Sequence, residues 1–217
     1  MLNKSKGNMY PFVTHTWNTI KGKCPHDCSY CYMKRFKQSE LHFDSKELKT
    51  DLGQGNFIFV GSSCDMWAWT IPDEWIQKTL EHCKETNNEF LFQSKNPSRF
   101  PKFYGQYPNS TFGTTIESNR DYEKSPPSIA DRYAGIHQLG REDGERVMVT
   151  IEPIMDFDLK PMIDMFEDIQ PYWVNIGADS KNHGLPEPSK EKTLELIAAL
   201  DEFTKVKIKK NLYRIIG

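Results

Sequence analysis

Three of the chain's five cysteines fall within eight residues, Cys24-Pro25-His26-Asp27-Cys28-Ser29-Tyr30-Cys31, at the spacing C-x3-C-x2-C. Thiols this close cannot pair comfortably as disulfides, because one is left over and the closing loops are strained. They can converge on a metal centre, and thiolate is the ligand that soft sites and iron–sulfur clusters select. Three chemistries compete. A structural zinc site would add His26 or another residue, yet zinc motifs usually separate paired ligands by a longer loop. A ferredoxin-type carrier needs a fourth cysteine, and Cys64 or Cys83 would serve only if folding brought one of them close. Three cysteines on a four-iron cluster would leave one iron open to bind something else. The spacing favours this last arrangement.

Other residues carry weaker signals. Glu152 stands before Pro153 at the end of an apolar run, where a buried acid is costly without a partner, and that costliness points to function. Cys64 ends another apolar run, whereas Cys83 lies on the apolar face of a helical pattern and reads as core. Met66, Trp67 and Trp69 suit either core packing or the roof of a pocket. His26 reads as a hydrogen-bonding loop residue.

The elements that must position these residues alternate regularly. Phe12–Trp17 alternates bulky and polar residues as a strand does, and runs into the Cys loop, where Gly22 and Pro25 break regular structure. Tyr32–Gln38 reads as the start of a helix. Asn56–Gly61 is a continuous apolar run, the mark of a strand covered on both faces. Pro72-Asp73-Glu74 opens a helix with Ile76, Leu80 and Cys83 on one face. Phe90–Phe92, Thr111–Thr115, Val147–Ile151 and Tyr172–Ile176 read as further strands. Asn96-Pro97 starts a short helix that Pro101 interrupts. Ser128-x-x-Asp131 resembles a capping box, with Ile129, Tyr133 and Ile136 on one face and Gly140 as the stop. Met162, Met165, Phe166 and Ile169 mark another helix face, and Leu196, Ile197, Leu200 and Phe203 the last. A basic tail, Val206–Ile216, has room for one more strand.

About six strand–helix pairs predict a parallel α/β barrel or open sheet in a single domain, residues 1–217, with residues 1–10 a polar, loosely held arm. Each unusual polar cluster follows a strand, where parallel α/β folds build their sites. The 217 residues carry a net charge of −2, so no global basic field draws nucleic acid. Basic residues do gather locally, at Lys4 and Lys6, Lys21–Lys23, Lys34–Lys37 and Val206–Lys210. No apolar run is long enough for a membrane span and no export signal opens the chain, so we expect a cytoplasmic protein with reduced thiols.

The string Cys24-x3-Cys28-Ser29-Tyr30-Cys31 resembles the C-x3-C-x-aromatic-C signature of the radical S-adenosylmethionine (SAM) superfamily. With His26 and Tyr32 it resembles spore photoproduct lyase more than most branches. Across nearly its whole length the chain also resembles small phage-associated proteins termed three-Cys-motif proteins. The segments carrying this are Thr16–Asn18, Phe59–Asp65, Phe92–Pro97, Phe112–Glu117, Ile151–Pro153 and Trp173–Gly177. The resemblance implies a partial (β/α)6 TIM-like barrel holding a [4Fe-4S] cluster on Cys24, Cys28 and Cys31. It further implies SAM on the open iron, reductive SAM cleavage and hydrogen abstraction from a substrate.

The same resemblance implies roles for further residues. Tyr30 and Tyr32 would contact SAM, and Lys95 would pair with its carboxylate. The superfamily's second strand ends in a Gly-Gly-Glu-like motif for the SAM amino group. Here Gly61-Ser62-Ser63-Cys64-Asp65 stands instead, which leaves Ser62, Ser63 or Asp65 for that contact. Thr115, Glu117 and Ser118 fall where ribose contacts are expected, Glu152 faces the barrel mouth, and Cys64 is a candidate hydrogen-atom donor. The implied partners are an electron donor such as flavodoxin or ferredoxin, and nucleic acid or a partner protein. The rival expectation is a non-catalytic electron-transfer or redox-sensing subunit, and a zinc-stabilised nucleic-acid binder is a third.

Overall fold

The computed structural model describes residues 1–217. Its strands are β1 (Asn3–Lys4), β2 (His15–Trp17), β3 (Ile20–Lys21), β4 (His42–Phe43), β5 (Phe57–Val60), β6 (Glu89–Gln93), β7 (Ser110–Thr115), β8 (Val147–Ile151), β9 (Trp173–Ile176) and β10 (Lys205–Ile208). Its α-helices are α1 (Asp73–Lys84), α2 (Ile129–His137), α3 (Leu159–Ile169), α4 (Lys190–Asp201) and α5 (Tyr213–Ile216). One sheet runs β1-β2-β5-β6-β7-β8-β9-β10, every pair parallel except β1 with β2, and β3 pairs with β4 in a separate hairpin.

Alternation along the strands sorts their side chains between two packed faces. Ile58, Val60, Phe90, Phe92, Val147, Val149, Ile151, Val174 and Ile176 point outward and form one core with Ile76, Leu80 and Cys83 of α1, Ile136 of α2, Met162 and Phe166 of α3, and Leu196 and Leu200 of α4. Leu91, Met148 and Trp173 point to the opposite face and pack with Phe57, Phe59, Met9, Tyr10, Phe12 and Val13. Apolar burial on both faces explains why these strands read as continuous hydrophobic runs.

The expected tail strand is β10, which makes seven parallel strands, and no hydrogen-bonded ladder joins β10 to β1 or β2. The structure corrects several other sequence expectations. The expected loose arm is ordered: Asn3–Lys4 forms β1, and Tyr10 is buried on the inner face of the sheet. Tyr10 stacks on Phe12 and Phe59, while Phe12 meets Phe57 of β5 and Trp173 of β9 edge-on. Residues 10–12 thus bridge β5 and β9 with side chains. The segment after the Cys loop makes one 3-10 turn, Tyr32–Arg35, rather than a longer helix. Gly140 does not stop α2, because the chain continues through a wide turn over Gln138–Glu142. Asn96 does not cap its helix; its amide donates to the Trp67 carbonyl at 3.0 Å. The capping box of α2 is present as expected, with Ser128 and Asp131 bonding reciprocally.

Candidate functional site

The cysteine loop leaves the β3–β4 hairpin at Gly22, whose φ is +99°. A Cβ at that position would run into the Glu40 backbone, so glycine is what lets the two ends of the loop close together. Lys23 N–H bonds the Ser39 carbonyl at 3.0 Å and pins those ends. Inside the loop, Asp27 N–H bonds the Cys24 carbonyl, Cys31 N–H that of Cys28, and Lys34 N–H that of Cys31. These successive tight turns carry three free thiols, Cys28 buried and Cys24 and Cys31 half-buried. Cys24 and Cys31 line an open pocket of about 380 Å³ beside Lys23, Lys34 and Phe36. No three His, Cys, Asp or Glu side chains gather closely enough to share one metal ion. Three free thiols on one loop are the donor type that a four-iron cluster takes, one thiolate to an iron.

Asp65 ties the loop to the sheet. Its Oδ2 accepts from His26 Nε2, from Ser94 Oγ and from the Lys95 N–H, each at 2.9 Å. Its Oδ1 accepts from the Trp67 N–H at 2.9 Å. Burial opposes charge on Asp65, yet His26 and the backbone donors hold its carboxyl below the usual range. His26 therefore acts as the strut between the cysteine loop and the ends of β5 and β6. Cys64, one residue before Asp65, lies against Cys24, and the interaction between the two thiols pulls Cys24 down to about 6 and pushes Cys64 up. Burial pushes Cys28 up to about 12.

A second group stands behind Cys28. Lys95, just past β6, places Nζ 2.6 Å from Glu117 Oε1 and 5.2 Å from the centre of the Tyr30 ring. Glu117 Oε2 is 2.6 Å from Arg132 Nη1, and Arg132 also donates to the Thr115 carbonyl at 3.1 Å. Burial moves two members of this network toward neutrality, Lys95 down to about 8 and Glu117 up to about 7. The Tyr30 hydroxyl is buried and has no partner. Tyr32 donates its hydroxyl to the Ser62 carbonyl at 3.0 Å, and the Ser63 N–H bonds Asn18 Oδ1 at 2.9 Å. Thr115 Oγ1 accepts from Gln93 at 3.2 Å. Ser118 turns away, donating to the Asp156 carbonyl at 2.7 Å. Glu152 belongs to a separate cluster, with Oε2 2.6 Å from Lys209 Nζ.

Sequence reasoning missed Arg132 and Glu123. Arg132 had a signal, since it sits on the same helical face as Ile129 and Ile136, where a cation needs a buried partner. Glu123 had none; it accepts from the Ser29 N–H at 2.8 Å and clasps the cysteine loop across 94 residues of sequence. Trp67 is core, packed on Phe92, Phe100 and Phe103, whereas Trp69 is exposed.

No protein-family model matches this chain. No curated protein matches it either. Among solved structures, it is similar to a spore photoproduct lyase variant with bound AdoMet and dinucleoside spore photoproduct, at TM-score 0.68 and 12% identity over 92% of this chain and 78% of that one. It is similar to a second variant of that lyase at TM-score 0.67 and 12% identity, and to the lyase complexed with dinucleoside spore photoproduct at 0.63 and 10%. These likenesses show the fold.

Proposed function

We propose that this chain is a radical SAM enzyme in which Cys24, Cys28 and Cys31 hold a [4Fe-4S] cluster with one iron open to SAM. One observation carries the reading: a loop of three free thiols stands beside the ends of β5 and β6, with the buried Lys95–Glu117–Arg132 network next to it. The similarity to a lyase whose structure contains AdoMet supports it. When bound, the cluster and SAM supply one-electron cleavage of the sulfonium and hydrogen-atom abstraction from substrate.

The chain's own residues divide the remaining work. Lys95 offers an ammonium to the SAM carboxylate, a charge-assisted contact made stronger by burial. The Tyr30 and Tyr32 rings give apolar surface for the adenosyl group, and Tyr30 has a free hydroxyl to donate. Asp65 already accepts four hydrogen bonds, so its part is to hold the loop. Ser62 and Ser63 then remain for the SAM amino group. Thr115 and Glu117 face the same region and suit the ribose hydroxyls, while Ser118 secures the turn behind them. An electron donor of the flavodoxin or ferredoxin type supplies the electron, and the substrate is a nucleic acid.

A second reading rests on Cys64. Its contact with Cys24 places a fourth thiol beside the loop, as a four-cysteine electron-transfer or redox-sensing centre requires. Under the first reading the same thiol is a hydrogen-atom donor. Anaerobic purification followed by iron and sulfide analysis, with and without SAM, separates the cases. The enzyme reading expects iron and sulfide in equal amounts, a cluster spectrum that changes on adding SAM, and 5′-deoxyadenosine on reduction. A reducible cluster whose spectrum ignores SAM supports the carrier, and a colourless zinc protein overturns both.

A further inference from the structure

The polar groups around Glu152 neither hold the cysteine loop nor join the Lys95–Glu117–Arg132 network. Glu152 leaves the C-terminal end of β8, and its Oε1 accepts from Asn8 at 2.8 Å and from Asn211 at 3.1 Å. The Ser180 hydroxyl accepts from the same two amides, at 3.2 and 2.7 Å. Gly177 makes room for the carboxylate, since a Cβ there would stand 2.8 Å from it. Lys209 pairs with Glu152 and lies 4.6 Å from the centre of the Tyr10 ring. Tyr10 in turn donates to Gln93, and Gln93 donates to Thr115, so this cluster adjoins the first site. The Asn211 Oδ1 is buried and unpartnered.

Asn8 indicates which ligand chemistry the cluster accepts. It is exposed, lies on the N-terminal arm, and presents an sp² amino group to a carboxylate and a hydroxyl. The N–H edge of a nucleobase offers the same donor, and a carboxylate accepting from a base amino group is an established readout pair. The surrounding charge selects nucleic acid over other carriers of an amide. Lys6, Lys181 and Lys210 are exposed, and each lies one or two residues along the chain from Asn8, Ser180 or Asn211. None of the three enters an ion pair, whereas the nearby acids Glu152, Asp179 and Glu187 are each matched, by Lys209, His183 and Arg214. Free lysines around a base-edge reader match the usual division, in which phosphate contacts position and base contacts specify. A base can enter such a mouth only when it is out of the stack.

We propose that this rim binds single-stranded nucleic acid. Lys6, Lys181 and Lys210 contact phosphates, and Glu152, Ser180 and Asn211 take the N–H edge of one unstacked base in the place Asn8 now fills. As a substrate site the rim rests on the radical SAM reading; as a binding site it stands alone.

Fluorescence anisotropy with labelled oligo(dA), oligo(dC) and oligo(dT) single strands tests this on the full chain. The wild type should bind at low salt, and its affinity should fall as salt rises. The triple variant Lys6→Gln, Lys181→Gln, Lys210→Gln should lose about tenfold or more for all three strands and flatten the log–log salt slope by about two. Ser180→Ala, checked for native circular dichroism, should narrow the differences among the strands, and Asn8→Ala should strengthen binding by removing the competitor. Absent binding at low salt, a triple variant with an unchanged slope, or equal binding of a labelled poly-glutamate peptide would each overturn the proposal. Failure of the enzyme reading looks different: neither iron nor 5′-deoxyadenosine, with oligonucleotide binding intact.

Discussion

Lys95 is the residue on which the proposed SAM site turns. Burial pulls its ammonium down to about 8, so it stays charged near neutral pH at a cost that an anionic ligand would offset. Lys95→Met should retain the cluster and weaken SAM binding by about tenfold to a hundredfold, the range of a hydrogen bond to a charged group. Equilibrium dialysis of the reconstituted protein measures it, and unchanged affinity would remove Lys95 from the site. Lys207 is the matching case away from the site. Burial and the cations Lys205 and Arg146 pull it down to about 8 as it lies 4.0 Å from the ring centres of Phe12 and Trp173. An unfolded lysine titrates at about 10.4, so between these values the unfolded chain holds more protons and stability rises with pH. Below about 8 the penalty on the folded state is fully present. Thermal melts at pH 7.5 and 10 should therefore show a gain for the wild type relative to Lys207→Gln, and parallel shifts in both proteins would count against the assignment.

At the scale of elements, the β3–β4 hairpin is the frame of the cysteine loop. Two short strands hold the ends of an excursion of some twenty residues, and the closure depends on Gly22 in a left-handed conformation against the Glu40 backbone. Gly22→Ala should cost about 1–3 kcal/mol in urea denaturation and should lower iron loading, because it moves the first thiol. Normal loading in that variant would show that the Asp65–His26 strut and the Glu123 clasp suffice without the hairpin. Strands β5, β6, β8 and β9 were legible because each is a local pattern: a largely apolar run with both faces covered. The wide turn after α2 was not legible. Gly140 looks like a stop, but its lack of a side chain serves the close approach of Val147, 2.7 Å from where a Cβ would stand.

For the molecule as a whole, the open sheet has a seam, and the N-terminal segment crosses it. Tyr10 is buried, bonds Gln93 at 3.0 Å and carries Phe12 against Trp173, so the arm connects β5 and β6 with β9 through packing rather than a ladder. Tyr10→Ala should cost about 3–5 kcal/mol, as large aromatic truncations in cores do. Tyr10→Phe should lose only the hydrogen bond, about 1 kcal/mol. Urea unfolding reads both, and a loss below about 1 kcal/mol for the alanine variant would mean the arm is decoration. The same crossing brings Asn8 to Glu152 and Ser180, just past the ends of β8 and β9, so the proposed rim exists only in the folded molecule.

What the sequence determined by itself is what depends on neighbours in the chain. The spacing of Cys24, Cys28 and Cys31 is local chemistry, the Ser128–Asp131 cap is local hydrogen bonding, and the strand–helix alternation is local periodicity. Tertiary structure decided the contacts whose partners lie far apart in sequence. It made His26 a strut, set Cys64 against Cys24, buried Arg132 on Glu117, and turned a polar arm into part of the core. The physical reason is that a buried charge or an orphan donor specifies that a partner must exist, without specifying which one, until folding brings distant strand ends to one face.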